Sequence, residues 1–345
     1  MPRVRALEVF RLRLPYGRRP ESILIRLTDY GGMTGWGEVV EPAVGHGSLD
    51  KTWTVLAESL APALIGVDWE HPHDLGRPLP GGSATDMACW DLWARMRGVP
   101  LAHALGGSRT SLTATVRIGA DRSLESLVGR VNRHICGGYA HVTLDVYPGW
   151  DIEPLRAVRL AYPGLAISVD AQCAYGEAEI EQVAALDAYR LTAIERPFAP
   201  ADHISHAELQ ERVAASVAVE AHTVPDLTEL TAAHAGRALL LKPQGFASLQ
   251  EVRRAHDHCV ASGWDIVCSG GQGTGLARAA TVAVAGLPGC TLPCDVTQPP
   301  RSAQIVTPAV GASGGVVAVP LTQPGLGHLV DEDRVRRLAK DSFAM

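Results

Sequence analysis

The chain lacks several features that mark membrane, secreted and nucleic-acid-binding proteins. No stretch approaches about 18 uncharged apolar residues, so no transmembrane helix is predicted. The first residues, MPRVRALEVFRLRLP, alternate basic and apolar side chains without a continuous apolar segment, which argues against a secretory signal. The net charge of −6 disfavours nucleic acid and anionic membranes as partners. We therefore expect a cytoplasmic protein that binds neither.

The seven cysteines include no C-x-x-C pair, and their odd number disfavours a closed disulfide framework. Reduced and mostly buried thiols are the simpler expectation for such a chain. What the sequence does contain is a balanced composition, with 46% hydrophobic and 20% charged residues, which is typical of a globular protein. At 345 residues the chain exceeds the usual size of one domain, so one large and one smaller domain are predicted.

The smaller domain is predicted at the N-terminus, over residues 1–110, and reads as an α+β unit. Residues 4–14 form one strand, and ESILIRLTDYGGMTGWGE gives a second strand, a turn and a return strand. The segment SATDMACWDLWARMRGVP then has helical spacing, with Ser83 as the expected N-cap. Gly98 and Pro100 provide the stop signal of this helix.

The larger domain is predicted over residues 111–311, where short apolar runs alternate with amphipathic segments of about 10–15 residues. The runs are TATVRIG, HVTLDV, LAISVD, LTAIER, SVAVEA, ALLLKP, DIVCSG and TLPCDV. Such a series predicts an α/β fold of the (β/α)8 barrel type. A doubly wound open sheet is the alternative, but no G-x-G-x-x-G follows the first run. Residues 312–345 do not continue the repeat, and we expect them to return to the first domain.

Four acidic residues recur at a spacing of 25 residues, each at or near the end of an apolar run: Asp145, Asp170, Glu195 and Glu220. Lys242 ends the next run, 22 residues later. The carboxyl ends of barrel strands carry the active site, so these side chains should line one arc of the barrel mouth. A single acid at a strand end could instead be a helix cap or half of a salt bridge. A series of buried like charges requires positive charge among them.

Three carboxylates on adjacent strands form an oxygen site suited to Mg²⁺. Such an ion can stabilise the enolate that forms when a proton leaves the carbon next to a carboxylate. Lys242 would face the ion from the next strand. A lysine near a cation can act as a general base, or as a cation against a developing anion.

With these residues the sequence resembles the enolase superfamily, and within it the muconate-lactonizing subgroup near o-succinylbenzoate synthases and N-acylamino-acid racemases. The resemblance covers nearly the whole chain and rests on several motifs. These are GWGE (35–38), YPGWDIEPLRAVR (147–159), VDAQCAY (169–175), IERP (194–197), HAELQ (206–210), LKP (241–243), GTGLARAA (273–280), LPGCTLPCD (287–295) and PGLG (324–327). Enolase-superfamily sites use a lysine or histidine base with Mg²⁺. The resemblance implies Asp170, Glu195 and Glu220 as the Mg²⁺ ligands and Lys242 as the acid/base.

The same resemblance shows departures around the site. The family carries a Lys-x-Lys pair where this chain has Thr143 and Asp145, so both lysines are missing. Asp145 becomes the candidate for a second acid/base or an extra ligand. The loop over residues 15–22, which closes over substrate in the family, is short. Other departures, or positions near them, complete the predicted substrate-binding set: Thr143, Gln172, His222, Gly271 and Gly273.

The sequence therefore predicts a divergent enzyme of the lyase or cycloisomerase type, similar to o-succinylbenzoate synthase, that acts on a small carboxylate through a metal-stabilised enolate. Racemisation is disfavoured because it needs two opposed bases. The alternative is a degenerate member that lacks the usual proton abstraction and serves as a metal-free cyclase, a binding protein or an accessory protein. The oligomeric state is left open, and a homo-oligomer is compatible with the sequence.

Overall fold

A computed structural model of the chain describes residues 2–15, 20–40, 48–76, 78–270, 273–296 and 300–345. The strands are β1 Val4–Arg13, β2 Glu21–Asp29, β3 Thr34–Val40, β4 Ser111–Ile118, β5 His141–Asp145, β6 Ala166–Asp170, β7 Ala193–Glu195, β8 Ser216–Val219, β9 Ala238–Leu241, β10 Asp265–Cys268, β11 Cys294–Asp295, β12 Val306–Thr307, β13 Val316–Ala318, β14 Leu329–Val330 and β15 Ala339–Ala344. The helices are α1 Leu49–Leu64, α2 Ser83–Arg97, α3 Leu101–Ala104, α4 Leu124–Cys136, α5 Ile152–Ala161, α6 Ile180–Ala184, α7 His203–Arg212, α8 Val224–Ala232, α9 Leu249–Ala261, α10 Gly275–Ala285 and α11 Glu332–Leu338.

Strands β4 to β11 form the barrel. The neighbour order is β10-β9-β8-β7-β6-β5-β4-β11, and all of these pairings are parallel. A bridge between Ser269 and Asp295 brings β10 next to β11, so the barrel is nearly closed. Helices lie between the strands along the chain, as right-handed crossovers require. The (β/α)8 prediction is confirmed, and the doubly wound alternative is wrong.

The N-terminal unit is an antiparallel sheet in the order β15-β1-β2-β3, packed against α1 and α2. The last strand, β15, pairs with β1, so the end of the chain does return to the first unit. Strand β13 behaves differently, because it pairs antiparallel with β4 of the barrel. The segment after residue 311 therefore contacts both units. Within the described ranges, no helix is long and apolar enough to cross a membrane.

Helix α2 fills the space between the N-terminal sheet and the barrel, and it is buried on nearly every side. The expectation that Ser83 caps this helix is wrong. Gly82 occupies the N-cap position without a side-chain bond, and the Ser83 hydroxyl donates instead to the carbonyl of Gln244, at 3.2 Å. The predicted stop is correct, since Gly98 adopts the left-handed conformation at φ 69°.

The GWGE motif joins the two units. Side chains at Gly35 and Gly37 would overlap the backbone of α2, so only glycine allows this close approach. Glu38 is fully buried and reaches the first turn of α10, where it accepts hydrogen bonds from Thr274 and from the backbone of Ala277. A carboxylate at a helix N-terminus satisfies amides that lack partners within the helix. This contact fixes the N-terminal sheet beside the barrel loop that follows β10.

Candidate active site

The predicted acidic ladder lies at the carboxyl ends of consecutive barrel strands. Asp145, Asp170 and Glu195 are the last residues of β5, β6 and β7. Their backbones are in register, with Asp145 beside Asp170 and Asp170 beside Glu195. Glu220 and Lys242 each follow the last residue of the next two strands, β8 and β9. The strand ends therefore bring these five side chains to one arc of the barrel mouth.

A guanidinium group from the first barrel strand lies among these carboxylates. The Nε atom of Arg117 is 3.0 Å from Oδ1 of Asp145. Its Nη2 atom contacts Asp170 and lies 3.8 Å from Oε2 of Glu195. Arg117 is paired in register with Thr143, one residue pair below the strand end, so only a long side chain can reach the mouth from there.

A second guanidinium belongs to Arg196, directly after Glu195. Its Nε donates to Oδ1 of Asp170 at 3.1 Å, and its Nη1 lies 3.6 Å from Oε1 of Glu220. In a regular strand, neighbouring side chains point to opposite faces. Arg196 has a positive φ of 48°, which ends the alternation and lets its side chain share the mouth with that of Glu195. Positive φ is uncommon outside glycine and often marks functional or strained positions.

Lys242 forms an ion pair with Glu220. Burial alone would raise the pKa of Glu220, but the ammonium of Lys242 and the guanidinium of Arg196 outweigh it and hold that pKa below its usual range. Glu220 is therefore ionised at neutral pH, and it is the anionic partner of Lys242. The lysine side chain keeps 29% exposure, so it can reach a ligand in the mouth.

Glu195 behaves in the opposite way. Burial raises the pKa of Glu195 to about 7, against the positive charge of Arg117, and the negative charge of Asp295 acts in the same direction as burial. Asp295 ends β11, so it contributes one more carboxylate to the electrostatics of the mouth. Burial thus acts on Glu195 in the direction opposite to the effect of the cations on Glu220.

The positions of these carboxylates decide whether they can bind Mg²⁺. The ion needs oxygen ligands at about 2.0–2.1 Å in nearly octahedral geometry. In the ranges that the structure describes, no group of three or more His, Cys, Asp or Glu side chains is arranged to hold a metal ion. The oxygens of Asp170 and Glu220 meet guanidinium and ammonium groups instead. As arranged here, the site does not fit Mg²⁺, and the ligand set Asp170, Glu195 and Glu220 stays a prediction.

The predicted substrate-binding residues are distributed unevenly. Thr143 is buried below the mouth, where its hydroxyl lies 3.0 Å from that of Thr115. Gln172 is exposed beside the site at a positive φ of 50°, and its backbone amide donates to Asp170 at 2.9 Å. His222 is half-buried and adjoins Gly245. Their role in substrate binding stays a prediction.

Two glycines complete the predicted set. Gly273 is buried against the N-terminal sheet, since a side chain added there would meet Val40 and Glu38. Gly271 lies outside the described residues, as do positions 16–19 of the predicted short lid. Gly273 thus packs against the N-terminal sheet.

Sequence reasoning missed Arg117, Arg196 and Asp295. Each was visible inside a predicted apolar run, in TATVRIG, LTAIER and TLPCDV respectively. A search for positive charge within two residues of a strand end would have found both arginines. The requirement for such charge followed from the ladder of acids itself.

A separate cavity of about 830 Å³ lies away from the mouth. Its walls are mainly proline, alanine, valine and glycine from the segment after residue 306, with Arg95 and His328 as ionisable groups. The ring of His328 is bonded to the carbonyl of Pro308 at 2.8 Å, and Arg95 is paired with Asp91. Both groups are engaged in structural contacts, so the barrel mouth remains the candidate active site.

A known family matches the part of the chain that forms most of the barrel. The family described as Enolase C-terminal domain-like matches residues 126–334, which is more than half of the chain. This range contains the ends of β5 to β11. It therefore includes the whole acidic ladder and Lys242.

Curated relatives cover nearly the full length. The chain is 31% identical to o-succinylbenzoate synthase of Geobacillus kaustophilus, over 92% of this chain and 88% of the relative. It is 34% identical to N-succinylamino acid racemase of an Amycolatopsis species, over 90% and 89% respectively. The chain is thus about equally similar to a lyase and to a racemase.

Solved structures support the same fold. A member of the enolase superfamily from Listeria innocua superposes with a TM-score of 0.91 at 25% identity, over 100% of this chain and 99% of that one. Muconate cycloisomerase from Pseudomonas fluorescens superposes with a TM-score of 0.88 at 19% identity, over 99% of each chain. The second likeness is one of fold alone.

Proposed function

Because the chain belongs to the enolase superfamily and is similar to lyases and racemases along nearly its whole length, we propose that it is a lyase or cycloisomerase acting on a small carboxylate substrate. Lys242 is the residue that transfers the proton. The metal-stabilised enolate that the family resemblance implies is not part of this proposal, because the carboxylates as arranged do not fit Mg²⁺.

The observation that carries the proposal is the environment of Lys242. It directly follows the end of β9, on the opposite side of the acidic arc from Asp145, and retains partial exposure. It is one of only three lysines in the chain, which holds 28 arginines. Arginine keeps its proton in proteins, whereas lysine can give and regain one. Among the cations of this mouth, Lys242 is therefore the one suited to proton transfer.

Two directions of transfer are chemically available. In a ring closure, a carboxylate oxygen of the substrate adds to a carbon–carbon double bond, and the electron pair moves to the carbon next to the second carboxylate. The Lys242 ammonium donates its proton to that carbon and later regains one from water. In an elimination, the neutral amine takes the proton from that carbon, and the leaving group departs with the electron pair. In the ion pair with Glu220 the lysine is the cationic partner, which is the starting form for the first direction.

Deuterium exchange tests the role of Lys242. The wild type is incubated in D₂O with N-succinylamino acids, and deuterium on the carbon next to the amino-acid carboxylate is measured by mass spectrometry. We expect exchange without racemisation, and loss of exchange in both Lys242→Ala and Lys242→Arg. The arginine variant is the matched control, because it keeps the charge but cannot release the proton. Exchange that survives in both variants would assign the proton transfer to another residue.

A second candidate function is a protein that binds a small carboxylate without turning it over. It is favoured by one observation: Asp145, Asp170 and Glu220 each lie within an ion pair, as in a structural network. Such a protein would bind the same compounds in calorimetry while showing neither deuterium exchange nor product. Binding with exchange supports the enzyme, and binding alone supports the second candidate.

A further inference from the structure

The arginines of the mouth are held in place by the fold around them. Arg196 donates its backbone amide to the carbonyl of Ala218 at 2.9 Å, and its own carbonyl accepts from Cys173 at 2.8 Å. Those two bonds anchor the residue at its positive φ between the neighbouring strand ends. Arg117 is anchored within β4, in register with β5. Neither guanidinium therefore comes from an unconstrained surface segment.

The two guanidinium groups lie beside the same carboxylate oxygens that a divalent ion would need as ligands. Asp170 contacts both Arg117 and Arg196. Glu195 lies 3.8 Å from Arg117, and Glu220 lies 3.6 Å from Arg196. Each member of the predicted ligand set thus has a guanidinium within 4 Å. A metal ion in their midst would displace these contacts and would be repelled by two charges that cannot be neutralised by deprotonation.

We propose that Arg117 and Arg196 take the place of the divalent cation, so that this chain works without Mg²⁺. The paired carboxylates then hold the guanidinium groups in position instead of coordinating a metal. A fixed cation near a developing carbanion lowers its energy without reorganisation at the moment of reaction. This last consequence rests on the proposed function, whereas the exclusion of Mg²⁺ does not depend on turnover.

Metal binding by the intact protein tests the proposal directly. Mg²⁺ is titrated by calorimetry, and Mn²⁺ is followed by electron paramagnetic resonance as a probe of the same oxygen site. The wild type should show no one-to-one binding at millimolar metal. The variant Arg117→Gln/Arg196→Gln, which frees the carboxylates, should gain at least about ten-fold affinity. The charge-preserving variant Arg117→Lys/Arg196→Lys should bind metal no better than the wild type. Arg156→Gln removes an exposed arginine of α5 that pairs with Glu153, and it controls for the loss of an arginine elsewhere.

Tight one-to-one Mg²⁺ binding by the wild type that disappears in Glu195→Gln would overturn the proposal, and this measurement needs no arginine variant to fold. A glutamine double variant that remains folded by circular dichroism but gains no metal would overturn it as well. Deuterium exchange in metal-chelated buffer separates this inference from the proposed function. Exchange that persists in chelator supports both, and exchange that requires added Mg²⁺ overturns the inference alone. If exchange is absent under every condition, the proposed function fails, and the metal titration still decides the inference.

Discussion

Acidification should unfold this protein partly through one histidine inside the barrel. His141 begins β5 and is 3% exposed. Its Nδ1 lies 2.7 Å from the hydroxyl of Thr115, and its Nε2 lies 3.1 Å from that of Ser168. Burial lowers the pKa of His141 from 6.5 to about 4. The ring is therefore neutral in the folded protein at pH values where the unfolded chain is already protonated.

The sign and size of the effect follow from this difference. Since the unfolded chain binds the proton first as the pH falls, the stability that neutral His141 contributes is complete above pH 6.5 and is lost between pH 6.5 and about 4. Linkage gives a loss of about 2 kcal/mol in the free energy of unfolding between about pH 7 and pH 4.5 from this residue alone. That is a large fraction of a typical domain stability of about 5–15 kcal/mol.

Urea unfolding at both pH values measures the loss for the wild type and for His141→Gln. Glutamine retains a donor and an acceptor for the two hydroxyls but does not titrate. The variant should be less stable at neutral pH and should lose about 2 kcal/mol less on acidification. Contributions from other histidines cancel in the comparison, and exposed His103→Gln serves as the control. Equal acid losses in the wild type and His141→Gln would refute the reasoning.

Three further predictions concern catalysis and the domain junction. Lys242→Ala should lower kcat by about 10²–10⁴-fold, whereas Asp145→Asn should lower it less, since the Asp145 carboxylate is already engaged with Arg117. Steady-state kinetics on the substrate found by deuterium exchange compares the two variants. Glu38→Ala should lower the free energy of unfolding by about 3–5 kcal/mol in urea, because it leaves buried donors of α10 unpaired. Gly37→Ala should lower the free energy of unfolding by about 3 kcal/mol or more in urea, since the new methyl group would overlap the carbonyl of Ala84. Equal stability of Gly37→Ala and the wild type would contradict the packing described.

The fold could be predicted from the sequence because its main signal, the recurrence of short apolar runs, is periodic. Apolar runs that recur with helical segments between them specify parallel strands, and charges at the ends of these runs specify the mouth. The residues that cap the helix ends were harder to predict. Ser83 has the chemistry of an N-cap, but its hydroxyl is drawn to the carbonyl of Gln244 across the domain junction, and Gly82 takes the cap position. A tertiary contact of that kind leaves no trace in the local sequence.

Strand periodicity alone does not place the arginines of the site in the mouth, for two different physical reasons. Arg196 follows an inward-facing residue, so strand alternation assigns it to the outer face, and only the positive φ of 48° reverses that assignment. Arg117 lies one pair below the strand end and reaches the mouth through the length of its side chain. Periodicity predicts the direction of a Cβ atom, and it does not predict how far a long side chain extends.

On the side of the mouth formed by β5, the positive charge among the described residues comes from Arg117 on β4. Thr143 and Asp145 stand where the resemblance places two lysines, and Arg117 on the adjacent strand is paired in register with the first and forms an ion pair with the second. We infer that this exchange preserves the electrostatic role of that side of the mouth and removes its acid–base role, because a guanidinium keeps its proton. Under the proposed function, proton transfer among the described residues is assigned to Lys242. A site with a proton carrier on one side can add or remove a proton at one face of a carbon, and it cannot efficiently invert that carbon, which needs a second carrier opposite. The exchange of charge between β4 and β5 is therefore the structural reason to expect lyase or cycloisomerase chemistry in preference to racemisation.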